Sequence, residues 1–211
     1  MQERIGCMPI GEMKQPGIVV GMEAEARIAR RCGFPVATLG GAEALLADGV
    51  DGLISFGIAG GLAPGLKPGT LVVATEVIAD DGSRYSAMNV PASTAEAIRA
   101  PIAGTTAIVS RAEAKRALYH RTGAVAVDLE SAEVARLCAD AGVPLAVIRT
   151  IGDPAERDLP PAALVGLKPD GRVDLRAVLA SVLRTPGQIP ALINVALDTR
   201  RALATLARAL T

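Results

Sequence analysis

Leu53-Ile54-Ser55-Phe56-Gly57-Ile58-Ala59-Gly60-Gly61 decides the fold. Leu53 to Phe56 is short, almost wholly apolar and bounded by glycines, which marks a fully buried strand. Gly57 to Gly61 then reads as a Gly-rich turn at the carboxyl end of that strand. Its free backbone N–H groups would form a nest for a phosphate or a nucleophilic water. The turn is not a Walker A loop, because no Gly-Lys-Ser/Thr ending follows. It is not a dinucleotide fingerprint either, since the first strand ends Gly21-Met22-Glu23.

Upstream, Gly17 to Gly21 predicts a first strand, Met22 to Cys32 a helix stopped by Gly33, and Ala42 to Asp48 a second helix. Downstream, strands are predicted at Thr70 to Ile78, Thr105 to Val109, Ala124 to Val127 and Pro144 to Ile151. Helices fall at Arg111 to Arg121 and at Ser131 to Ala141, the latter closed by Gly142. Strands alternating with helices imply an α/β fold: a three-layer α/β/α sandwich with a central mixed, mostly parallel sheet. No linker or repeat divides residues 1 to 211, so one domain is expected. Helical stretches follow at Val173 to Leu183 and Ile189 to Leu210. In the second, Ile189, Leu192, Ile193, Ala196, Leu197, Leu203, Leu206 and Leu210 form one stripe. Residues 170 to 211 are expected to pack on the core or on a partner subunit. A helix resting on a membrane surface is the sharper alternative.

Composition narrows the function. The 211 residues carry 22 Lys+Arg against 22 Asp+Glu, half are hydrophobic and only 2% are aromatic. Zero net charge argues against nucleic acid and anionic lipid, whose non-specific capture is electrostatic. So few aromatic rings cannot build an RNA-stacking platform. Cys7, Cys32 and Cys138 are scattered, as reduced intracellular thiols are, and no Cys/His cluster suits a metal. His120, the single histidine, reads as an exposed helix end. No apolar signal segment or 20-residue span is present, so a cytoplasmic protein is expected.

Ligands of such sheets sit beyond the carboxyl ends of the strands. There the chain places Glu23 and Glu25, the Gly-rich turn, Asp128 and Glu130, and Gly152-Asp153-Pro154. Each has a plain structural use, as a helix-terminal charge, an N-cap or a turn. Together they suggest a site.

At these residues the chain resembles the nucleoside phosphorylase and nucleosidase superfamily. Gly21-Met22-Glu23-Ala24-Glu25, Gly57 to Pro64 with Lys67-Pro68-Gly69-Thr70, and Val127 to Ser131 with Val147 to Asp153 carry the likeness. Their order and spacing match over roughly residues 17 to 155, as in methylthioadenosine/adenosylhomocysteine nucleosidases. A nearer likeness is to hopanoid-associated phosphorylases. It runs through Phe56 to Gly61, Asp153-Pro154-Ala155-Glu156-Arg157, Leu159 to Leu164 and Arg184 to Leu192.

The resemblance implies cleavage of a purine N-glycosidic bond, with adenosylhopane of hopanoid synthesis as the expected nucleoside and adenine as the product. Asp153 would protonate the purine at N7. Glu130 would bind the ribose hydroxyls, with Leu129 packed under the sugar. Glu25 would activate water, and Gly57, Ile58, Ala59 and Gly60 would hold the nucleophile or phosphate. Tyr85 would stack on the base. No cofactor or metal is implied, only inorganic phosphate or water as co-substrate. The partners implied are a small nucleoside, lipid-linked in the hopanoid case, and further copies of the chain in a homo-oligomer; transient membrane-surface contact is expected from the C-terminal helix alone. The chain departs from the family at Ile58 (commonly Ser, Thr or Cys), Asp128 (commonly Glu) and Gly152 (commonly Ser). It also lacks the arginines that hold phosphate, which disfavours phosphorolysis, while Glu25 favours hydrolysis. The acceptor stays open. The alternatives are a methylthioadenosine/adenosylhomocysteine-type nucleosidase, a non-catalytic nucleoside-binding protein of the same fold, and a structural helper in a membrane lipid pathway.

Overall fold

The structure is a computed structural model, and it describes residues 13–90, 97–165 and 174–209. Strands β1 (Gly17–Val20), β2 (Val36–Thr38), β3 (Leu53–Gly61), β4 (Leu71–Ala79), β5 (Arg84–Ser86), β6 (Ile98–Gly104), β7 (Ala126–Asp128) and β8 (Leu145–Asp153) form one mixed sheet. Helices α1 (Glu23–Ala29), α2 (Ala42–Ala47), α3 (Ala112–Thr122), α4 (Ser131–Ala141), α5 (Pro161–Leu164), α6 (Leu175–Arg184) and α7 (Ile189–Arg208) surround it.

β3 pairs in parallel with β1 and β8, and its last two residues pair antiparallel with β7. β8 continues antiparallel to β4, β4 runs parallel to β6, and β6 runs parallel to β7. The path β3–β8–β4–β6–β7 therefore returns to β3, so the sheet closes on itself.

Alternation along the strands builds two aliphatic layers, because successive side chains point to opposite faces. Ile18, Val20, Ile54, Phe56, Ala146 and Ile148 pack with α1 residues and with Leu206 and Ala209 from the C-terminal end. Val19, Leu53, Leu145 and Val147 pack against α2 and α4 through Leu45, Val134, Ala135 and Cys138. This is the expected α/β/α layering. Cys32 and Cys138 are buried on opposite faces, and Cys7 lies outside the described residues. His120 is exposed in the last turn of α3. Among the described residues no helix is long and apolar enough to cross a membrane.

Four expectations need correction. Gly57 to Gly61 is not a turn: it is the second half of β3, paired with β8 on one side and, at Gly60 and Gly61, with β7 on the other. At Gly57 the missing side chain lets the Glu25 carboxyl close onto the strand. The strand expected at Thr105 to Val109 lies earlier, at β6, where Pro101 hides it. Opposite Pro101, β4 bulges between Ala74 and Val77, the irregular position at which a proline without an N–H is tolerated. Three short elements, β2, β5 and α5, carry too little periodicity to be read. The stripe on α7 also divides. Ala202 and Leu206 are buried, Leu192 and Leu203 are half-buried, and Ala196 is exposed. Ile189, Ile193 and Leu197 are exposed, as are Leu175, Leu179 and Leu183 of α6. Val173 and Leu210 lie outside the described residues.

Candidate active site

β1, β3, β7 and β8 bring three carboxyl groups to one edge of the sheet. Two glycines allow the approach, and a third lies alongside. A Cβ on Gly57 would lie 2.6 Å from Glu25 Oε1, and one on Gly21 would lie 2.5 Å from Glu130 Oε1. A Cβ on Gly60 would stand 3.8 Å from Asp153 Oδ2. Gly60 is also the register partner of Asp153 in β8 and of Val127 in β7.

Glu25 sits in the first turn of α1 and is only 2% exposed. Its Oε2 accepts from the N–H groups of Gly21 (3.0 Å) and Met22 (2.8 Å), and its Oε1 accepts from that of Ile58 (2.8 Å). It thus caps its own helix and staples β1 to β3. A carboxylate offers about four lone-pair positions, so one stays open on Oε1. Burial pushes its pKa up, against the backbone N–H groups and Arg149, which favour the anion.

Beside it, one guanidinium serves several acids. Arg149 of β8 is 2% exposed. Its Nε donates to Asp128 Oδ2 and its Nη2 donates to Ser55 Oγ (2.7 Å). The same Nη2 lies 3.7 Å from Glu130 Oε2. Asp128 Oδ1 in turn accepts from Ser131 Oγ (2.6 Å) and Ser131 N–H (2.9 Å), which caps α4. Asp128 is therefore a structural brace, and Glu130 stands forward of it. Burial raises the Glu130 pKa to about 7; Arg149 opposes this, and Asp128 and Glu25 add to it. Leu129 is half-buried between the two acids.

At the other end of the site Asp153 closes β8. Its side chain is 16% exposed, and that of Lys115 behind it is fully buried. Lys115 Nζ donates to Asp153 Oδ2 (2.5 Å) and to the carbonyls of Pro154 (3.0 Å) and Arg157 (2.8 Å). Burial raises the Asp153 pKa and Asp198 adds to the rise, while Lys115 and Arg157 oppose it.

Two expected contributions are not brought here. Tyr85 lies on β5 and lines a cleft of about 270 Å³ with Ala135, Cys138 and Leu145. Leu145 begins β8, so that cleft is a full strand length from Asp153. The backbone nest is also missing, since Gly57 to Gly60 are strand residues and the Ile58 N–H is spent on Glu25. The departures at 58 and 152 prove to be one adjustment, because a Cβ on Gly152 would lie 2.4 Å from Ile58 Cγ2. Sequence reading missed Lys115, Arg149, Ser55 and Asp198. Lys115 shares the inward face of α3 with Leu118, too short a pattern on so charged a helix to mark it as buried.

The fold has close structural counterparts. The 5′-methylthioadenosine/S-adenosylhomocysteine nucleosidase of Helicobacter pylori aligns at TM-score 0.64 and 18% identity, covering 94% of this chain and 96% of its own. The futalosine hydrolase of the same organism aligns at 0.65 and 19%, covering 93% and 95%. The Neisseria meningitidis 5′-methylthioadenosine/S-adenosylhomocysteine nucleosidase, in complex with methylthio-immucillin-A, aligns at 0.61 and 18%, covering 94% and 100%. Among curated proteins none matches the sequence. The family comparison is decisive: residues 32–101 and 87–183 match the Phosphorylase superfamily, and the chain belongs to it.

Proposed function

We propose that the protein cleaves the N-glycosidic bond of an adenine nucleoside, with Asp153 protonating the departing base and Glu130 holding the ribose hydroxyls. The observation that carries this reading is the placing of Glu25 on Gly57, Glu130 on Gly21 and Asp153 beside Gly60. Departure of a purine leaves positive charge on the sugar and negative charge on the base. A carboxylate at the sugar and a proton donor at the base meet those two needs.

Water is the acceptor the geometry favours. Phosphate asks for bidentate arginine or a ring of free N–H groups. Arg149 is occupied by Asp128 and Ser55, and the Ile58 N–H by Glu25. The open position on Glu25 Oε1 suits one water and its proton.

For the group on the ribose 5′ carbon, the likeness through residues 153 to 192 supports a bulky apolar tail, as in adenosylhopane. The exposed Leu164, Val165, Leu175 and Leu179, which follow Asp153 in the chain, are consistent with it. The structural neighbours favour methylthioadenosine as the second reading. Adenine release from both nucleosides, in buffers with and without phosphate, tests all three points. Adenine release independent of phosphate, and faster from adenosylhopane, is expected. A strict phosphate requirement overturns the hydrolytic reading. Faster turnover of methylthioadenosine overturns the lipid tail.

A further inference from the structure

We propose that Lys115 is a positioning residue that also holds the proton Asp153 hands to the base, so that the two side chains work as one pair. The inference rests on the purine-nucleoside reading above. Three observations carry it. Lys115 is sealed from solvent and Asp153 is not, so the pair is ordered with lysine behind and aspartate in front. All three Lys115 hydrogen bonds go to one segment: Asp153 and the carbonyls of Pro154 and Arg157. That segment is fastened again at the start of α3, where the Asp158 carboxylate accepts from the Ala112 N–H (2.7 Å), and just before it, where the Leu159 N–H donates to the Ser110 carbonyl (2.8 Å). A purely structural tie needs no buried ammonium when two further hydrogen bonds already stand beside it.

The charged groups facing the pair are few. Arg157 and Asp198 act on Asp153. Glu156 accepts from the Gly65 N–H at 2.7 Å and acts on Lys115 and Arg157 through space. Asp198 of α7 is bonded to Arg157 and Arg201. No other cation among the described residues reaches the Asp153 carboxyl by hydrogen bond.

At rest the pair is an ammonium and a carboxylate. The N7 lone pair of a bound purine repels a carboxylate and welcomes a carboxylic acid. Binding therefore breaks one Nζ–H bond, leaves its electron pair on nitrogen, and forms an O–H bond on Asp153. As the C1′–N9 bond breaks, its electron pair enters the purine and N7 takes the carboxyl proton. Water adds to C1′ and loses one proton, and a proton taken up by Asp153, the member of the pair that solvent reaches, passes to Nζ and restores the ammonium. The sum is nucleoside plus water giving ribose product plus adenine.

The test compares Lys115→Arg and Lys115→Met with the native protein across pH 5 to 8, reading adenine release. Arginine keeps the charge but yields no proton. Lys115→Arg is expected to lose about a hundredfold at pH 8, more than Lys115→Met, and both are expected to recover as pH falls and Asp153 protonates directly. Binding of 9-deazaadenosine, which carries hydrogen on N7, reports on the site without chemistry. It is expected to stay within about threefold of native in Lys115→Arg. Native-like turnover of Lys115→Arg at pH 8 overturns the proton-holding role. Loss of both turnover and 9-deazaadenosine binding in both variants, without acid recovery, reduces Lys115 to scaffolding. Asp153→Asn separates the two levels: if it still releases adenine, the reading of Asp153 itself fails, whatever Lys115 does.

Discussion

The two ends of the site manage charge in opposite ways. At the base end one lysine faces one aspartate, a matched pair. At the sugar end one arginine stands among three acids, bonded to Asp128 and acting through space on Glu130 and Glu25. Burial first, and then the neighbouring Asp128 and Glu25, raise the Glu130 pKa to about 7 against the pull of Arg149. On the proposed function, a surplus of carboxylates suits the end where a sugar would become cationic, and a balanced pair suits the end where a proton would be handed over and recovered. The difference between the ends would then follow the sign of the charge the reaction develops there.

The comparison breaks first at its cations. Arg149→Met leaves several acids without their shared partner, and about 4 kcal/mol of stability is expected to be lost in denaturant unfolding. Lys115→Met leaves one carboxyl that can simply protonate, so roughly half that loss is expected. Equal losses would show that the ends are not charged differently.

Next comes the acid itself. Asp153→Asn keeps an acceptor for Lys115 but cannot donate as an acid, and turnover is expected to fall about a thousandfold. Glu130 supplies a subtler check. The folded protein protonates it near pH 7, whereas its ordinary value is 4.5, so between those limits the native state binds the extra proton. Stability should therefore be greatest below pH 4.5 as far as this group is concerned, and fall as pH rises through 7. The loss is of the order of 3 kcal/mol. Thermal unfolding at pH 5 and pH 8 reads it, and Glu130→Gln should flatten the slope. The smallest effect lies between the ends, where Ile58 meets Gly152. Gly152→Ala should cost about 1–3 kcal/mol, and adding Ile58→Ala should recover most of it. Simple additivity in that double variant would deny the contact.

Much of this site was legible from local pattern. Glu25, Glu130 and Asp153 each follow an apolar run, and strand ends are where such folds bind ligands. The helix Ser131 to Ala141 matched to the residue because Gly142 adopts φ 66° and stops it. Three things were not legible. Gly57 to Gly61 has the composition of a turn, and only pairing with β7 and β8 makes it a strand. Pro101 speaks against a strand until the bulge in β4 is seen to excuse it. Lys115 lies on a helix rich in charge, where one more lysine reads as solvated. Its burial comes from Asp153, 38 positions away in sequence, and no local window contains both.

The anchoring of Arg157 by Asp198 reaches beyond equilibrium structure. The carbonyl of Arg157 is one of the three acceptors of Lys115, and its guanidinium is held from α7 by Asp198, which Arg201 also grips. A chain emerging from the ribosome exposes its early strands first. It would carry Glu25, Glu130 and Asp153 well before Asp198 has been synthesised. The acid would then lack the clasp that steadies its neighbourhood. On the proposed function, a nascent chain would therefore hold its proposed reacting groups before the clasp from α7 can form.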